Sequence, residues 1–508
     1  MLFNSYVFIL AFFPGVMLGW FLLHRFRLHR AALFFLAVMS LVFYGYNNVR
    51  YVPVIVCSVL CNYALSKAFT SEKLSARVTW RRVLFFAGIA FNIGLIFYFK
   101  YYNFFLENMN ALFHADFVLK KIALPLGISF FTFQQVSYLV DSWRGETKDY
   151  GFLEYAVFVT YFPQLVAGPI VLHNEMIPQF RDGSLHRINA DNVANGLILF
   201  ILGLFKKVVI ADTLSGAVAW GFGNVGAMTA GDAFFVMFAY TFQIYFDFSG
   251  YCDMASGMAR MMNISLPMNF DSPYKALSIR EFWKRWHLTL TRFLTRYVYV
   301  PLGGSRRGIR RTCINTILVF LLSGLWHGAN WTFVLWGLLH GLFSVGERLL
   351  DYARERRASR GGVTDAANGD DPPRIHAAAR WIYTFLAVNV LWLLFRADSV
   401  AQWKDILSVM LRMENLAISD DLLWTFVLPE NQILYGFGIL AKLNGFVRGF
   451  PAVVVFLFAY LVCMLPENNV RRQVRPRTSV WMVPVCAVAL TWSLLCLSSE
   501  SVFLYFNF

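Results

Sequence analysis

Apolar stretches fit for lipid recur along almost the whole chain, at 6–23, 31–46, 52–66, 83–99, 122–140, 152–170, 193–211, 232–246, 314–346, 379–395, 450–465 and 480–497. A water-soluble domain has no interior large enough for so many apolar runs. A helix satisfies its own backbone hydrogen bonds and can cross a bilayer. Of the 508 residues, 58% are hydrophobic and only 15% charged, so the fold class is an all-α polytopic integral membrane protein. Several runs fall short of the roughly 20 residues a perpendicular helix needs, so tilted, broken or re-entrant elements are expected. The first run is followed by others and reads as a first transmembrane helix, not a cleaved signal peptide.

A net charge of +15 could suggest nucleic acid, but the cations sit in short blocks between apolar runs: HRFRLHR (24–30), SEKLSARVTWRR (71–82), RRGIRR (306–311), RERRASR (354–360) and RRQVRPR (471–477). Such blocks mark cytoplasmic loops, so the partner they imply is membrane lipid and no nucleic acid is expected. Counting crossings from them puts both termini outside the membrane. Seven cysteines are scattered; Cys57 and Cys61 share a helical face, where packing is the expected role. The chain lacks HExxH, CxxC, a Gly-rich phosphate loop and GxSxG, so no metal or resident cofactor is expected.

No internal repeat divides the chain, and residues 1–508 read as a single membrane domain with a catalytic core at about 120–346. The Gly-, Asp- and Pro-rich stretch within about 354–375 reads as a disordered cytoplasmic loop. Residues 397–447 mix apolar and polar positions and suggest amphipathic helices at the outer face. Residues 247–313 are polar, rich in Arg, Lys and Trp, and too long for a tight loop, which marks them as functional.

The stretch SGLWHGANWTFVLWG (323–337) places His327 and Asn330 inside an apolar run. Basic residues at 306–311 and 354–357 put both flanks on the cytoplasmic side, so the chain enters and returns between them. About a dozen apolar residues precede the turn, roughly 18 Å of helix, which sets His327 at mid-depth. Non-helical backbone there must be buried in protein or line a cavity. An ionisable residue so placed is usually functional, and a desolvated imidazole stays neutral and can accept a proton. His340, near the returning end, reads as structural.

Upstream, SIREFWKRWHLTLTRFLTRYVYVPLGGSRRG (278–308) carries periodic aromatics and cations, fit for an interfacial helix on anionic lipid. Alternatively Arg306, Arg307, Arg310 and Arg311, with Lys284 and Arg285, face a phosphate-bearing cytoplasmic ligand. Asp247 and Asp253, in YFDFSGYCDMASGMAR (245–260), read as structural acids that pair or cap.

Together with LPLGISFFTFQQVSYLVDSWRG (124–145), YFPQLVAGPI (161–170), FKKVVIAD (205–212), NFDSPYK (269–275), YVPLGG (299–304) and the terminal FLYFNF, these motifs resemble the membrane-bound O-acyltransferase family, in its bacterial alginate O-acetyltransferase-like branch. The resemblance implies a ring of roughly 11–13 membrane helices with re-entrant segments around a thin central channel. It also implies His327 as the essential histidine and His287 of the RWH element as its companion. Acyl-coenzyme A, typically acetyl-CoA, would approach as co-substrate from the cytoplasm. The acceptor would be an extracytoplasmic polysaccharide, reached directly or through a periplasmic partner acetyltransferase. Here His327 would be the general base, His287 would orient the donor, and Asn330 or backbone amides at Gly328, next to Trp326, would hold the oxyanion. The chain departs from the branch at Thr295-Arg296, Cys252 and Ser305, where an Arg-Asp pair, a Ser and an Asn are usual. Two rivals are D-alanyl transfer from a carrier protein to teichoic acid, and a proton-coupled transporter or flippase with His327 as relay.

Overall fold

The structure, a computed structural model, describes residues 1–71, 78–147, 149–361, 374–426, 444–465, 468, 480–497 and 503–504. It is helical throughout, and among the described residues the sole extended pairing is an isolated bridge between Phe270 and Trp286. Seven of the described helices are long and apolar enough to cross a membrane. Contacts divide the chain into two compact units, Met1–Phe205 with Phe248–Met268 and Gln473–Phe508, and Lys206–Asp247 with Asn269–Arg472.

In the first unit α1 (Phe8–Arg25) and α2 (His29–Gly45) form a hairpin, and α3 (Val49–Thr70), α4 (Val78–Phe113) and α5 (Ile128–Trp143) pack on one another. Buried amides lock their register: Asn92 Nδ2 donates to Asn62 Oδ1 at 2.6 Å and Gln135 Nε2 to Ser58 Oγ at 2.9 Å. No water in a bilayer core would replace a lost partner, so such pairs specify one alignment. Outward, Leu10, Leu18, Phe34, Phe86 and Ile93 are exposed, an apolar surface of the kind lipid covers.

The apolar run at 122–140 becomes helical only at Ile128, after Gly127 turns the chain with φ +67. A Cβ on Gly127 would lie 2.7 Å from the Leu165 carbonyl oxygen, so glycine is required there on both counts. The run at 152–170 is broken. It contains α6 (Phe152–Thr160) and the four-residue α7 (Phe162–Leu165), and then leaves helical geometry before α8 (His173–Arg181). Every residue from Tyr161 to His173 is buried, which satisfies the condition on irregular backbone in a membrane protein. Two long helices, α9 (Ala190–Gly223) and α10 (Ala230–Met261), contribute to both units. In the first unit they cross at glycines. A Cβ on Gly196 would meet the Gly257 carbonyl oxygen at 2.6 Å, and one on Gly203 the Gly250 carbonyl oxygen at the same distance.

The second unit contains the short α11 (Ile279–Trp283) and α12 (Leu288–Leu294), then the helices α13 (Gly308–His327), α14 (Trp331–Gly361), α15 (Arg374–Arg396) and α16 (Val400–Arg412). The run 314–346 does enter and return, as the α13–α14 hairpin broken at 328–330. With its basic first turn, α13 has 20 residues, about 30 Å at 1.5 Å per residue, so it reaches further than its apolar run alone suggests. Because α14 continues to Gly361 and α15 starts at Arg374, the ends of the connector expected at 354–375 are helical. Its middle, 362–373, lies outside the described residues. So do residues 72–77 of the basic block at 71–82, the whole block at 471–477, residues 427–443 of the amphipathic region, and 505–508 of the terminal motif. Within that amphipathic region α16 is capped by Ser399, whose hydroxyl accepts from the Gln402 N–H, and buries Ile406 and Met410 on one face.

Candidate active site

His287 is positioned by a segment that precedes it. Asn269–Asp271 runs antiparallel to Arg285–His287, joined by the Phe270–Trp286 bridge and by the Asp271 N–H donating to the Arg285 carbonyl at 2.9 Å. Asn269 then caps α12 from outside: its carbonyl accepts the Leu288 N–H at 3.0 Å, and its Oδ1 accepts from the Thr289 N–H at 3.3 Å and Thr289 Oγ1 at 2.9 Å. The same Oδ1 lies 3.0 Å from His287 Nδ1. An amide oxygen only accepts, so Nδ1 carries the proton and Nε2 of the neutral ring holds the lone pair. His287 is fully buried and sits in the left-handed region at φ +46, a conformation costing a non-glycine residue about 1–2 kcal/mol. The Asn269 bonds hold it there.

His327 is the last residue of α13, only 3% exposed, and is walled by aromatic rings. Ring centroids of Trp326, Phe395 and Trp336 lie 4.9, 5.1 and 5.3 Å from it, all edge to face. Trp326 also lies 6.0 Å from His287, so one indole touches both imidazoles. The wall continues as Trp336 stacks on Trp392 at 5.9 Å and Trp392 meets Trp286 at 4.9 Å. His340, fully buried, accepts from Trp283 Nε1 at 3.2 Å through Nδ1, a structural bond in keeping with its sequence reading.

The turn after His327 is tightly built. A Cβ on Gly328 would fall 2.1 Å from the Phe333 ring, which explains a glycine with extended backbone. Asn330 Oδ1 accepts the Thr332 N–H at 3.0 Å as the cap of α14, while its Nδ2 donates to the Asp398 carbonyl at 2.9 Å. The Gly328 N–H points back to the Gly324 carbonyl at 3.4 Å. The two oxyanion candidates are thus engaged, the Gly328 N–H by α13 and the Asn330 amide by Asp398. A buried donor that sequence reading missed is Trp336 Nε1, beside His327 and without a hydrogen-bond partner.

The segment 278–308 departs from the interfacial helix expected of it. Phe282, Trp283, Trp286 and Phe293 are buried, because the chain breaks at His287 and turns its rings into the core instead of toward lipid. A cleft of 300 Å³ opens between this segment and the α13–α14 hairpin, lined by Arg280, Lys284, Tyr299, Ser323, Ser344 and Arg348 among others. Tyr299 Oη, Ser344 Oγ and Arg348 Nε are buried there without hydrogen-bond partners. Ser323 lies one helical turn before His327 on α13. Of the cations read from sequence, only Lys284 lines this cleft; Arg306, Arg307, Arg310 and Arg311 are exposed and do not. Arg285 pairs with Glu281 at 2.9 Å and Asp271 at 3.9 Å. Two further cations that sequence reading passed over line the cleft: Arg280, which pairs with Asp351 at 2.6 Å, and Arg348.

The two acids part company. Asp247 lies 2.7 Å from the buried Lys207 Nζ, which also reaches Asp212 at 2.7 Å, so FKKVVIAD and YFDFSG meet through one ammonium. Asp253 is buried on α10, where a Cβ on Gly203 would approach its own Cβ to 2.9 Å.

Seven described helices long and apolar enough to cross a membrane, with two buried histidines in the second unit, define a polytopic membrane protein with a candidate catalytic site. The chain belongs to the membrane-bound O-acyltransferase family, whose model matches residues 117–356, and it is an acyltransferase of that family. It is 35% identical to the peptidoglycan O-acetyltransferase of Helicobacter pylori, over 100% of this chain and 98% of that protein. It is 37% identical to the "Probable alginate O-acetylase AlgI" of Pseudomonas aeruginosa, over 79% of this chain and 73% of that protein. Similarity to the teichoic acid D-alanyltransferase of Streptococcus thermophilus is 30% over 43% of this chain and 55% of that protein.

Proposed function

We propose that the chain transfers an acetyl group from a cytoplasmic thioester, acetyl-CoA, to a hydroxyl of an extracytoplasmic polysaccharide, directly or through a periplasmic partner acetyltransferase. The carrying observation is the cleft lined by Ser323, one helical turn before the buried His327, with cations for donor phosphates at Lys284 and Arg348 and with Arg280, paired to Asp351, beside them. As the acceptor oxygen bonds to the thioester carbonyl carbon, His327 takes the hydroxyl proton. Collapse of the tetrahedral adduct breaks the carbon–sulfur bond, and the thiol leaves with that proton. Trp336 Nε1, beside His327, supplies a donor for the oxyanion. The relatives matched over most of their length act by name on peptidoglycan and on alginate, which supports a polysaccharide acceptor, whereas the D-alanyltransferase match covers less than half of this chain.

The test is label transfer from radiolabelled acetyl-CoA by purified protein to peptidoglycan fragments or to alginate oligomers. His327→Ala should lower the rate by about 10² to 10⁴-fold, the usual worth of a general base, with thermal unfolding unchanged within a few degrees. Near wild-type transfer by that variant refutes the role of His327. Failure of wild type to cleave the thioester refutes the donor.

A further inference from the structure

Away from the acyl-transfer site, three histidines converge at one end of the first unit. His24 lies in the last turn of α1, His29 opens α2, and His186 ends the turn Gly183–His186 that follows α8. His24 Nδ1 and His29 Nδ1 share a hydrogen bond at 2.9 Å, so one of them donates and must give up that proton before both nitrogens can ligate. The His186 ring stacks on His24 with centroids 3.7 Å apart and lies 4.9 Å from His29. One ring nitrogen from each falls within 4.8 Å of the other two. His24 is buried, His186 half-buried and His29 exposed, so the cluster is closed on one side, where Trp20 sits edge-on to His24 at 4.3 Å, and open to water on the other.

The hydrogen bonds determine which lone pairs this cluster offers. His186 Nε2 donates to the Phe180 carbonyl at 3.2 Å, because a carbonyl only accepts. Its Nδ1 therefore keeps its lone pair, and that atom is buried without a hydrogen-bond partner. A ring held by one N–H on a backbone carbonyl while the other nitrogen faces inward is how metal-ligating histidines are oriented. His24 Nε2 is likewise buried with no partner. Burying imidazoles this close with unsatisfied nitrogens is costly unless something binds them.

We propose that His24, His29 and His186 bind one borderline divalent transition-metal ion of the zinc type, clasping the α1–α2 turn to the turn after α8. Three imidazoles and no carboxylate suit zinc, nickel or copper and disfavour magnesium and calcium, which require oxygen ligands. With three protein ligands, the fourth tetrahedral position faces the open side, where water completes it. Arg25, Arg27, Arg30 and Arg187 adjoin the cluster in sequence, but all are exposed, so solvent and salt screen their repulsion of a dication. Neither the spacing His24–His29 alone nor any motif announces the site, because its third member comes from the far side of α8.

The experiment is equilibrium dialysis of the full-length protein in detergent, purified through a histidine-free tag, against zinc chloride, with metal content read by elemental analysis. The expected result is about one zinc per chain, not displaced by excess magnesium. His29→Ala, at an exposed ligand, and His186→Gln should each weaken binding by more than the roughly 10 to 100-fold that loss of a supporting partner costs. His376→Ala, exposed elsewhere, should not change it. Zinc should also raise the unfolding temperature of the wild type and leave that of His29→Ala where it was. No stoichiometric zinc in the wild type, or equal zinc in His29→Ala, overturns the proposal. Acyl transfer enters neither readout, so the test stands apart from the proposed function.

Discussion

Replacing Asn269 by alanine removes one buried oxygen that three donors share: His287 Nδ1, the Thr289 N–H and Thr289 Oγ1, at 3.0, 3.3 and 2.9 Å. At about 1 kcal/mol net per hydrogen bond the variant should lose about 3 kcal/mol. That exceeds the 1–2 kcal/mol by which the left-handed backbone at His287 is disfavoured, so the ring should leave its present orientation. Thermal unfolding in detergent should fall measurably and acetyl transfer more steeply, because the tautomer is lost with the position. Asn269→Asp separates the two effects. It keeps the acceptor and most of the stability, but a carboxylate beside the ring favours imidazolium and raises the His287 pKa. Activity that needs the neutral ring should then fail at higher pH than in the wild type, moving the acid limb of the pH–rate profile upward. An Asn269→Ala protein as stable and as active as wild type would refute the shared-acceptor argument.

Three further outcomes follow from the packing. Lys207→Met strips the ammonium from Asp212 and Asp247 and should cost about 3–5 kcal/mol, seen as loss of monodisperse protein, whereas Asp247→Asn, which leaves the Asp212 pair, should cost less; equal stability of Lys207→Met and wild type would count against the pairing. Gly337→Ala sets a Cβ 2.3 Å from the Phe320 carbonyl oxygen, so the α13–α14 hairpin must open at a cost of about 1–3 kcal/mol with reduced kcat, while Gly346→Ala, with nothing within 4 Å, should be silent. Arg181 donates to both oxygens of Glu154, at 2.5 and 2.6 Å, and holds that carboxyl below its ordinary range. Its contribution is present above the ordinary carboxylate pKa and fades as pH falls, so Arg181→Gln should lose stability at neutral pH and little in acid.

Much of this was legible from periodicity and motif. The recurrence of apolar runs gave the helical membrane class, and the apolar stretch around WHGAN gave the α13–α14 hairpin with His327 at its break, because an apolar run flanked by cations on both sides must fold back. What stayed hidden were contacts between residues distant in sequence. Asn269 reads as one more polar residue in a polar segment until α12 brings Leu288 and Thr289 onto it. The aromatics of 278–297 match an interfacial pattern, but left-handed His287 breaks the helix that pattern assumes. The cations that line the cleft stayed hidden for a related reason: a run such as RRGIRR is conspicuous, whereas Arg280 and Arg348 stand apart in sequence and are joined only by folding.

The stretch 323–337 returns a sharper answer once each residue has its neighbours. Ser323 faces the cleft, and Gly324 lets the Phe333 carbonyl approach to where a Cβ would stand 2.2 Å away. Trp326 touches both imidazoles, Gly328 clears the Phe333 ring, and Asn330 caps α14 while reaching the Asp398 carbonyl. Polar and small residues are costly in an apolar hairpin unless each is required, and these are required by the turn. The turn in turn presents one titratable group, His327, to an aromatic wall. If His327 is the base proposed above, replacing Asn330 or Gly328 should therefore damage activity through the placement of that imidazole.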